Sequence, residues 1–135
     1  MEAYVIATAC TKFEKKADQT FKNLTEEVYC DLLKSAKVEN GNMIGQAWFG
    51  NCGMGTFGQN NIRGQVCFTP LVQKKLFPER VGIINVEGGC ATGSMAFHGA
   101  WKDVISGTED VSLAIGVEKI YQPNNPEKIQ EIYDG

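Results

Sequence analysis

Cys90 is the residue whose surroundings best suit covalent chemistry. Gly88 and Gly89 precede it and the small run Ala91–Ser94 follows, at the expected junction of an apolar strand with a helix. Glycines permit a sharp turn there, and small neighbours leave a substrate room to approach the sulfur. The positive end of a helix favours a thiolate, and its free N–H groups stabilise an oxyanion. The pattern therefore predicts a nucleophile elbow with cysteine as the nucleophile.

The same run of small residues also suits a tight strand–helix join or a phosphate cradle. Its glycine spacing fits neither the dinucleotide-binding fingerprint nor the P-loop, which disfavours phosphate. His98 is the only histidine, eight residues past Cys90. In a continuous helix that separation is about 12 Å, too far for a general base, so His98 is interpreted as a packed or partly exposed residue. Glu87 would oppose a thiolate, so we expect its carboxylate to turn away or find a donor.

The remaining cysteines are interpreted as small buried residues. The number of cysteines is odd and no two are spaced as C-x-x-C, which disfavours a disulfide framework and a metal site in this sequence. The five are Cys10, Cys30, Cys52, Cys67 and Cys90.

Composition restricts the class of protein. With 43% hydrophobic and 21% charged residues, the chain is typical of one globular domain. A net charge of −3 without clustered Lys or Arg excludes nucleic acid as an expected partner. No apolar stretch approaches membrane-spanning length and the start of the chain lacks a signal pattern, so we expect no membrane association and a cytoplasmic location.

The elements that would hold Cys90 form a strand–helix–strand unit with two parallel strands. Apolar runs predict strands over 3–9, 44–49, 81–86 and 111–117. Helical spacing predicts helices over 25–37, 65–76 and 90–106. The stretch 122–135, with Pro123 and Pro126, breaks the pattern and predicts no closing helix or strand.

Residues 50–64 contain five glycines but are bordered and filled by bulky side chains. These side chains predict a packed, irregular segment rather than a flexible linker. Core packing is favoured over the lining of a wide acyl pocket. The bulky residues are Trp48, Phe49, Met54 and Phe57.

The stretch from Ile84 to Tyr121 closely resembles the nucleophile segment of the thiolase superfamily. The matching motifs are C-A-T-G-S around Cys90, G-x-x-D-V-x-L-A-x-G-V-E-K over 107–119 and G-Q-N-N-I over 58–62. The sequence is most similar to the branch of the sterol carrier protein x type thiolase. The N-terminal VIATACTKFEK also resembles the first strand and loop of that branch.

The resemblance implies an α/β fold, a mixed and mostly parallel sheet with helices on both faces. Residues 1–135 would form an incomplete N-terminal thiolase domain, with the C-terminal half absent from this chain. By resemblance, Cys90 carries the acyl group in reversible thiolytic cleavage of a 3-ketoacyl-CoA. Coenzyme A is then a substrate, and no cofactor is permanently bound. The family's catalytic histidine and its second cysteine or equivalent match nothing here, so these 135 residues alone are expected to be inactive.

The resemblance also implies partners. Strand 81–86 is expected to pair across a homodimer interface, and the Cys90 helix should be buried between two halves of the enzyme. Some relatives work with a small zinc-ribbon and OB-fold companion protein. Two alternatives stay open, a ketoacyl-synthase-like condensing enzyme and a non-catalytic acyl-CoA-binding or scaffold subunit. The sequence does not specify the acyl group.

Overall fold

A computed structural model describes residues 2–132, which fold around a three-stranded sheet. The strands are β1 (Gln46–Gly50), β2 (Gly82–Val86) and β3 (Ser112–Gly116). β1 lies in the centre and pairs in parallel with both neighbours. The α/β fold class is confirmed, and all three strands described are parallel.

The helices are α1 (Phe21–Ala36), α2 (Arg63–Gln73), α3 (Thr92–Ile105) and the single turn α4 (Lys128–Glu131). Alternate residues of β1 face opposite sides of the sheet, which separates the helices into two layers. Phe49 meets the Phe68 ring of α2, whereas Trp48 lies against Gly99 of α3. Helices therefore cover both faces, as expected.

The α1 and α2 side contains the main core. Phe68 lies edge-on to the rings of Tyr29, Phe49 and Phe77, with centroids 4.4 to 6.3 Å apart. All four side chains are almost fully buried. Edge-to-face contacts of this kind add to the free energy gained by burying apolar area.

α1 begins earlier than the predicted Thr25 because Thr20 and Asn23 form a capping box. The Thr20 side chain accepts from the Asn23 N–H, and the Asn23 side chain accepts from the Thr20 N–H. This exchange satisfies backbone donors that a helix start leaves unpaired. Lys37, in the left-handed region, ends the helix.

α3 approaches the sheet closely because Gly99 has no side chain. A Cβ at Gly99 would lie 2.3 Å from Trp48 Cδ2. The Asp103 carboxylate fixes the helix, accepting from Trp48 Nε1 and from Ser112 Oγ at 2.7 Å each. The outer face of α3 stays exposed and carries Met95, Phe97, His98 and Trp101.

The prediction of a buried strand over 3–9 is wrong. Residues 3–9 have no strand assignment, and Tyr4, Val5 and Ile6 are 75%, 64% and 66% exposed. The segment borders an apolar groove of about 380 Å³ that α1, α3 and β3 also line. A β-forming composition is insufficient here because a strand also needs an edge with which to exchange hydrogen bonds.

Residues 50–57 form a packed segment, as predicted, whereas Gly58 and residues 60–62 are exposed. A 3₁₀ turn spans Gly53–Phe57, Met54 is buried, and the Phe57 ring lies edge-on to Phe21. The prediction that no helix follows residue 122 is wrong by one turn, α4; residues 133–135 of that stretch lie outside the described residues. Within residues 2–132, no helix combines the length and apolar character needed to cross a bilayer.

Candidate active site

The carboxyl ends of the three strands meet at one edge of the sheet. Gly50 is in register with Val86 on one side and with Gly116 on the other. The residues that follow each strand therefore gather at this edge, where parallel α/β sheets usually bind ligands. They come from 51–53, 87–90 and 117–118.

Cys90 lies at this edge, in a 3₁₀ turn over Gly89–Ala91 that leads directly into α3. Its side chain is exposed. Gly89 has φ +57°, a left-handed conformation that favours glycine. Helix α3 begins two residues later than predicted, so Cys90 precedes its first turn. The predicted strand–turn–helix context of Cys90 is present.

Thr92 fixes the turn, and sequence reasoning missed it. This buried side chain accepts from the Gly88 N–H at 2.9 Å and donates to the Gly89 carbonyl at 2.7 Å. The Ala91 N–H also donates to the Gly88 carbonyl. Several backbone groups next to Cys90 are thus satisfied within the turn, which holds the backbone at Cys90 in one conformation.

The Glu87 carboxylate finds donors, as expected. Its Oε1 accepts from the Gly89 N–H at 2.7 Å and lies 3.7 Å from Cys52 Sγ. The thiol of Cys52 is thereby brought to the candidate site from the loop after β1. Burial raises the pKa of the Cys52 thiol, and the Glu87 and Glu118 carboxylates raise it further.

Glu118 joins the end of β3 to the loop after β1. Its carboxylate accepts from the backbone N–H groups of Cys52 and Gly53 at 2.9 to 3.1 Å. Asn51, 2% exposed, donates from Nδ2 to the Val117 carbonyl at 2.7 Å. From the sequence, Glu118 is interpreted as part of a solvated or ion-paired turn after a strand; the structure instead shows a bridge across the sheet edge.

Arg63, at the start of α2, supports the same loop. One guanidinium nitrogen donates to the carbonyl oxygens of Asn51 and Cys52 at 3.0 and 3.3 Å. A polar recess of about 210 Å³ lies beside it, lined also by Asn61, Asn85 and Glu87. Phe49 and Met54 are buried in the core, so core packing, the favoured interpretation of these two, is confirmed.

His98 takes no part in this cluster. It is exposed on the outer face of α3, stacked on Trp101 with ring centroids 5.4 Å apart. Its position agrees with its interpretation as an exposed helix residue. Among residues 2–132, no three His, Cys, Asp or Glu side chains are grouped to hold a metal ion.

The other cysteines differ in their surroundings. Only Cys67 meets the expectation of a buried residue, and burial raises the pKa of its thiol. Cys10 is exposed, whereas Cys30 and Cys52 are half-buried, so the prediction of burial is wrong for these three. It failed because a cysteine in a loop or at a helix edge need not point into the core.

Comparison with known proteins identifies the domain. Residues 3–132 match the family model described as thiolase, N-terminal domain. The chain is 32% identical over 117 residues to the benzoylsuccinyl-CoA thiolase subunit BbsB of Thauera aromatica, covering 87% of this chain and 28% of that protein. It is 31% identical over 117 residues to an acetyl-CoA acetyltransferase of Methanocaldococcus jannaschii, covering 86% and 28%.

A third relative, an acetyl-CoA acetyltransferase of Methanothermobacter thermautotrophicus, is 28% identical over 127 residues. That match covers 90% of this chain and 30% of the relative. The chain thus spans less than a third of the length of the curated relatives it matches.

Proposed function

The chain belongs to the thiolase family, and from this we propose that it forms the nucleophile-bearing part of an acyl-CoA C-acyltransferase with Cys90 as the acyl acceptor. The observation that carries the proposal is the exposed Cys90 thiol in a tight turn between β2 and α3. The names of the relatives, a thiolase subunit and acetyl-CoA acetyltransferases, support the same reaction class.

In the proposed step, the Cys90 thiolate attacks the keto carbon at the β position of a 3-ketoacyl-CoA. The bond between the α and β carbons breaks, the acyl group stays on sulfur, and acetyl-CoA leaves after its α carbon takes a proton. Coenzyme A then attacks the acyl-cysteine, releasing the shortened acyl-CoA and restoring the thiol.

The backbone N–H of Cys90 is the proposed donor to the oxyanion. Within residues 2–132 it has no hydrogen-bond acceptor, whereas the neighbouring N–H groups of Gly89 and Ala91 are engaged. An N–H that points at developing charge stabilises the transition state strongly. The group is therefore free to donate to the oxyanion that would form when Cys90 attacks a carbonyl.

We place this domain in a protein of thiolase length, whose C-terminal half supplies the base and covers the outer face of α3. The exposed Phe97 and Trp101 support this arrangement because they lie one helical turn apart, and apolar side chains grouped on one helix face usually meet another layer. His98 is the only histidine of the sequence and is unsuited as the base. Residues 1–135 alone are accordingly expected to show no thiolase turnover.

The finer assignment is to the branch of the sterol carrier protein x type thiolase, supported by the motifs around Cys90 and over 107–119. Its bacterial and archaeal members suggest a small zinc-ribbon and OB-fold companion protein as partner. The relative BbsB is itself named a subunit. A cytoplasmic location is proposed because all five thiols are free, which is typical of reducing compartments.

We further propose that β2 pairs with β2 of a second copy. β2 is an edge strand, and Gly82, Ile84 and Asn85 are exposed along it. An open edge with apolar residues invites pairing with another chain. Ile84→Lys in the full-length protein should weaken the dimer at least about tenfold because it places a charge at the paired edge. Sedimentation equilibrium tests this, with Glu79→Lys as a control outside the strand; an unchanged dimer in the Ile84 variant contradicts the proposal.

The acyl-enzyme can be trapped directly. Full-length protein incubated with acetoacetyl-CoA, quenched in acid and digested should carry one acetyl group on the Cys90 peptide. Cys90→Ser and Cys90→Ala should lose the adduct and lower kcat by at least ~1,000-fold, because no other group replaces the nucleophile. Cys10→Ala, which removes another exposed thiol, should leave both unchanged.

The same experiment separates the alternatives. An adduct on another cysteine, or full turnover in Cys90→Ala, refutes the role of Cys90. Binding of acyl-CoA without any adduct indicates a non-catalytic subunit. Condensation of the acyl-enzyme without thiolysis indicates a ketoacyl-synthase-like enzyme.

A further inference from the structure

The Glu87 carboxylate connects the nucleophile turn to the loop that follows β1. Its Oε1 accepts the Gly89 N–H at 2.7 Å, and the same oxygen lies 3.7 Å from Cys52 Sγ. The Cys52 backbone N–H in turn donates to Glu118, at the end of β3. A continuous set of contacts therefore joins all three strand ends to the residue that precedes Cys90.

The hydrogen bond from the Gly89 N–H to Glu87 holds a residue whose backbone lies in the left-handed region. Gly89 has φ +57°, and glycine is the residue with the largest freedom to leave such a conformation. Thr92 binds the Gly89 carbonyl, and Glu87 binds the Gly89 N–H. The Gly89 carbonyl also accepts from the Thr92 N–H, whereas Glu87 is the partner of the Gly89 N–H, so removing the Glu87 side chain frees the N–H side of the turn.

The contact with the Gly89 N–H also determines where the negative charge of the Glu87 carboxylate lies. Glu87 is three residues before Cys90, and a carboxylate facing a thiolate would disfavour it. Here the carboxylate oxygen faces an N–H group and a thiol, both hydrogen-bond donors. The bond to Gly89 keeps that charge turned towards these donors.

We propose that Glu87 is a positioning residue for Cys90: by accepting the Gly89 N–H it fixes the left-handed turn that presents the thiol and its backbone N–H to the acyl group. The inference rests on the proposed role of Cys90. Glu87 neither accepts the acyl group nor transfers a proton in this scheme. The proposed role requires the acceptor oxygen of the Glu87 side chain but not its negative charge. A general base, by contrast, would have to take up a proton.

The test compares two substitutions at Glu87 in the full-length protein. Glu87→Gln keeps an acceptor oxygen at the end of a side chain of equal length, whereas Glu87→Ala removes it. We expect Glu87→Ala to lower kcat about 10- to 100-fold, because a small misplacement of a reacting group costs this much. KM should stay within about threefold, since the proposed loss affects the position of the reacting group in the transition state rather than the binding of the substrate. Glu87→Gln should keep kcat within about threefold of the parent protein.

A second readout follows Cys90 itself. The rate of Cys90 alkylation by iodoacetamide, measured against pH by peptide mapping, should fall in Glu87→Ala and match the parent profile in Glu87→Gln. Glu79→Ala is the control, because it removes an exposed carboxylate before the opposite end of β2. It should leave kcat and the alkylation profile unchanged.

The opposite results overturn the proposal. If Glu87→Ala retains the parent kcat and alkylation profile, the contact to Gly89 does not position Cys90. If Glu87→Gln is as impaired as Glu87→Ala, the charge or a proton of Glu87 is needed instead. Failure of the proposed function is seen separately, as full turnover in Cys90→Ala, which does not depend on Glu87.

Discussion

On one face of the sheet, α1 and α2 bury a cluster of aromatic rings completely; on the other face, α3 leaves large apolar side chains in solvent. Phe68 in the first layer is 1% exposed, whereas Phe97 of α3 is 56% exposed. The inner side of α3 instead uses small residues, Ala96, Gly99 and Ala100, all of them buried. Small residues bring a helix close to a sheet but bury little apolar area.

The helix layers on the two faces of the sheet also differ in what holds them in place. The aromatic layer is complete within this chain, since its rings contact one another on several sides. α3 is held by its close approach to the sheet and by the Asp103 hydrogen bonds, and its outer face stays exposed. Within residues 2–132, the layer that carries the candidate nucleophile is therefore the one that leaves large apolar side chains in solvent.

The largest expected effect tests this comparison directly. Phe68→Ala should lower the free energy of unfolding of the 135-residue chain by about 3–5 kcal/mol, because it empties a fully packed site. Phe97→Ala should cost less than ~1 kcal/mol in the same chain, as its ring is largely exposed. Urea denaturation followed by circular dichroism measures both. Similar losses for the two substitutions would show that the layers do not differ.

A smaller effect is expected where α3 meets the sheet. Gly99→Ala should lower the free energy of unfolding by about 1–3 kcal/mol, because the added Cβ would lie 2.3 Å from Trp48 Cδ2. Gly93→Ala, in the same helix, meets no atom within 4 Å and should be neutral or stabilising by up to ~1 kcal/mol. Thermal unfolding of both variants checks the pair. A neutral Gly99→Ala would mean that α3 is not closely docked.

The smallest effect concerns one thiol in each region. Burial raises the pKa of Cys67 within the aromatic layer, whereas Glu87 contributes to the raised pKa of Cys52 at the strand ends. Glu87→Gln removes a negative charge that disfavours the thiolate, so the pKa of Cys52 should fall while that of Cys67 stays unchanged. Alkylation rates against pH, resolved by peptide mapping, report both. A Cys52 profile unaltered by Glu87→Gln would show that Glu87 does not contribute to the raised pKa of Cys52.

The central elements could be predicted because their signals are local. Apolar runs give β1, β2 and β3 within two residues of their observed bounds, and helical spacing gives α1 to α3. The start of α1 was missed because its capping box uses Asn23, a less common residue at that position than Glu or Gln. Segment 3–9 was wrong because pairing depends on a distant edge, which composition does not encode.

In the candidate site, too, the local features could be predicted from the sequence and the long-range contacts could not. The turn around Cys90 is built from consecutive residues, so glycines and small side chains were enough to predict it. The bridge from Glu118 to Cys52 joins residues 66 apart and depends on the register of three strands. Thr92 was missed because a threonine at a helix start has several possible partners, and only the turn geometry selects one.

The hydrogen bonds between Glu118 and the loop after β1 also imply an order in which the contacts at this edge form during synthesis. The backbone N–H groups of Cys52 and Gly53 bind the carboxylate of Glu118, a residue that is synthesised 65 or 66 positions later. Parallel strand pairing over such distances is slow, because loop-closure entropy is lost before contacts form. A nascent chain that ends before Glu118 should therefore leave the N–H groups of Cys52 and Gly53 without their carboxylate partner, although Arg63 can already bind the same loop. The part of this edge that is synthesised last is the one that completes its hydrogen bonds.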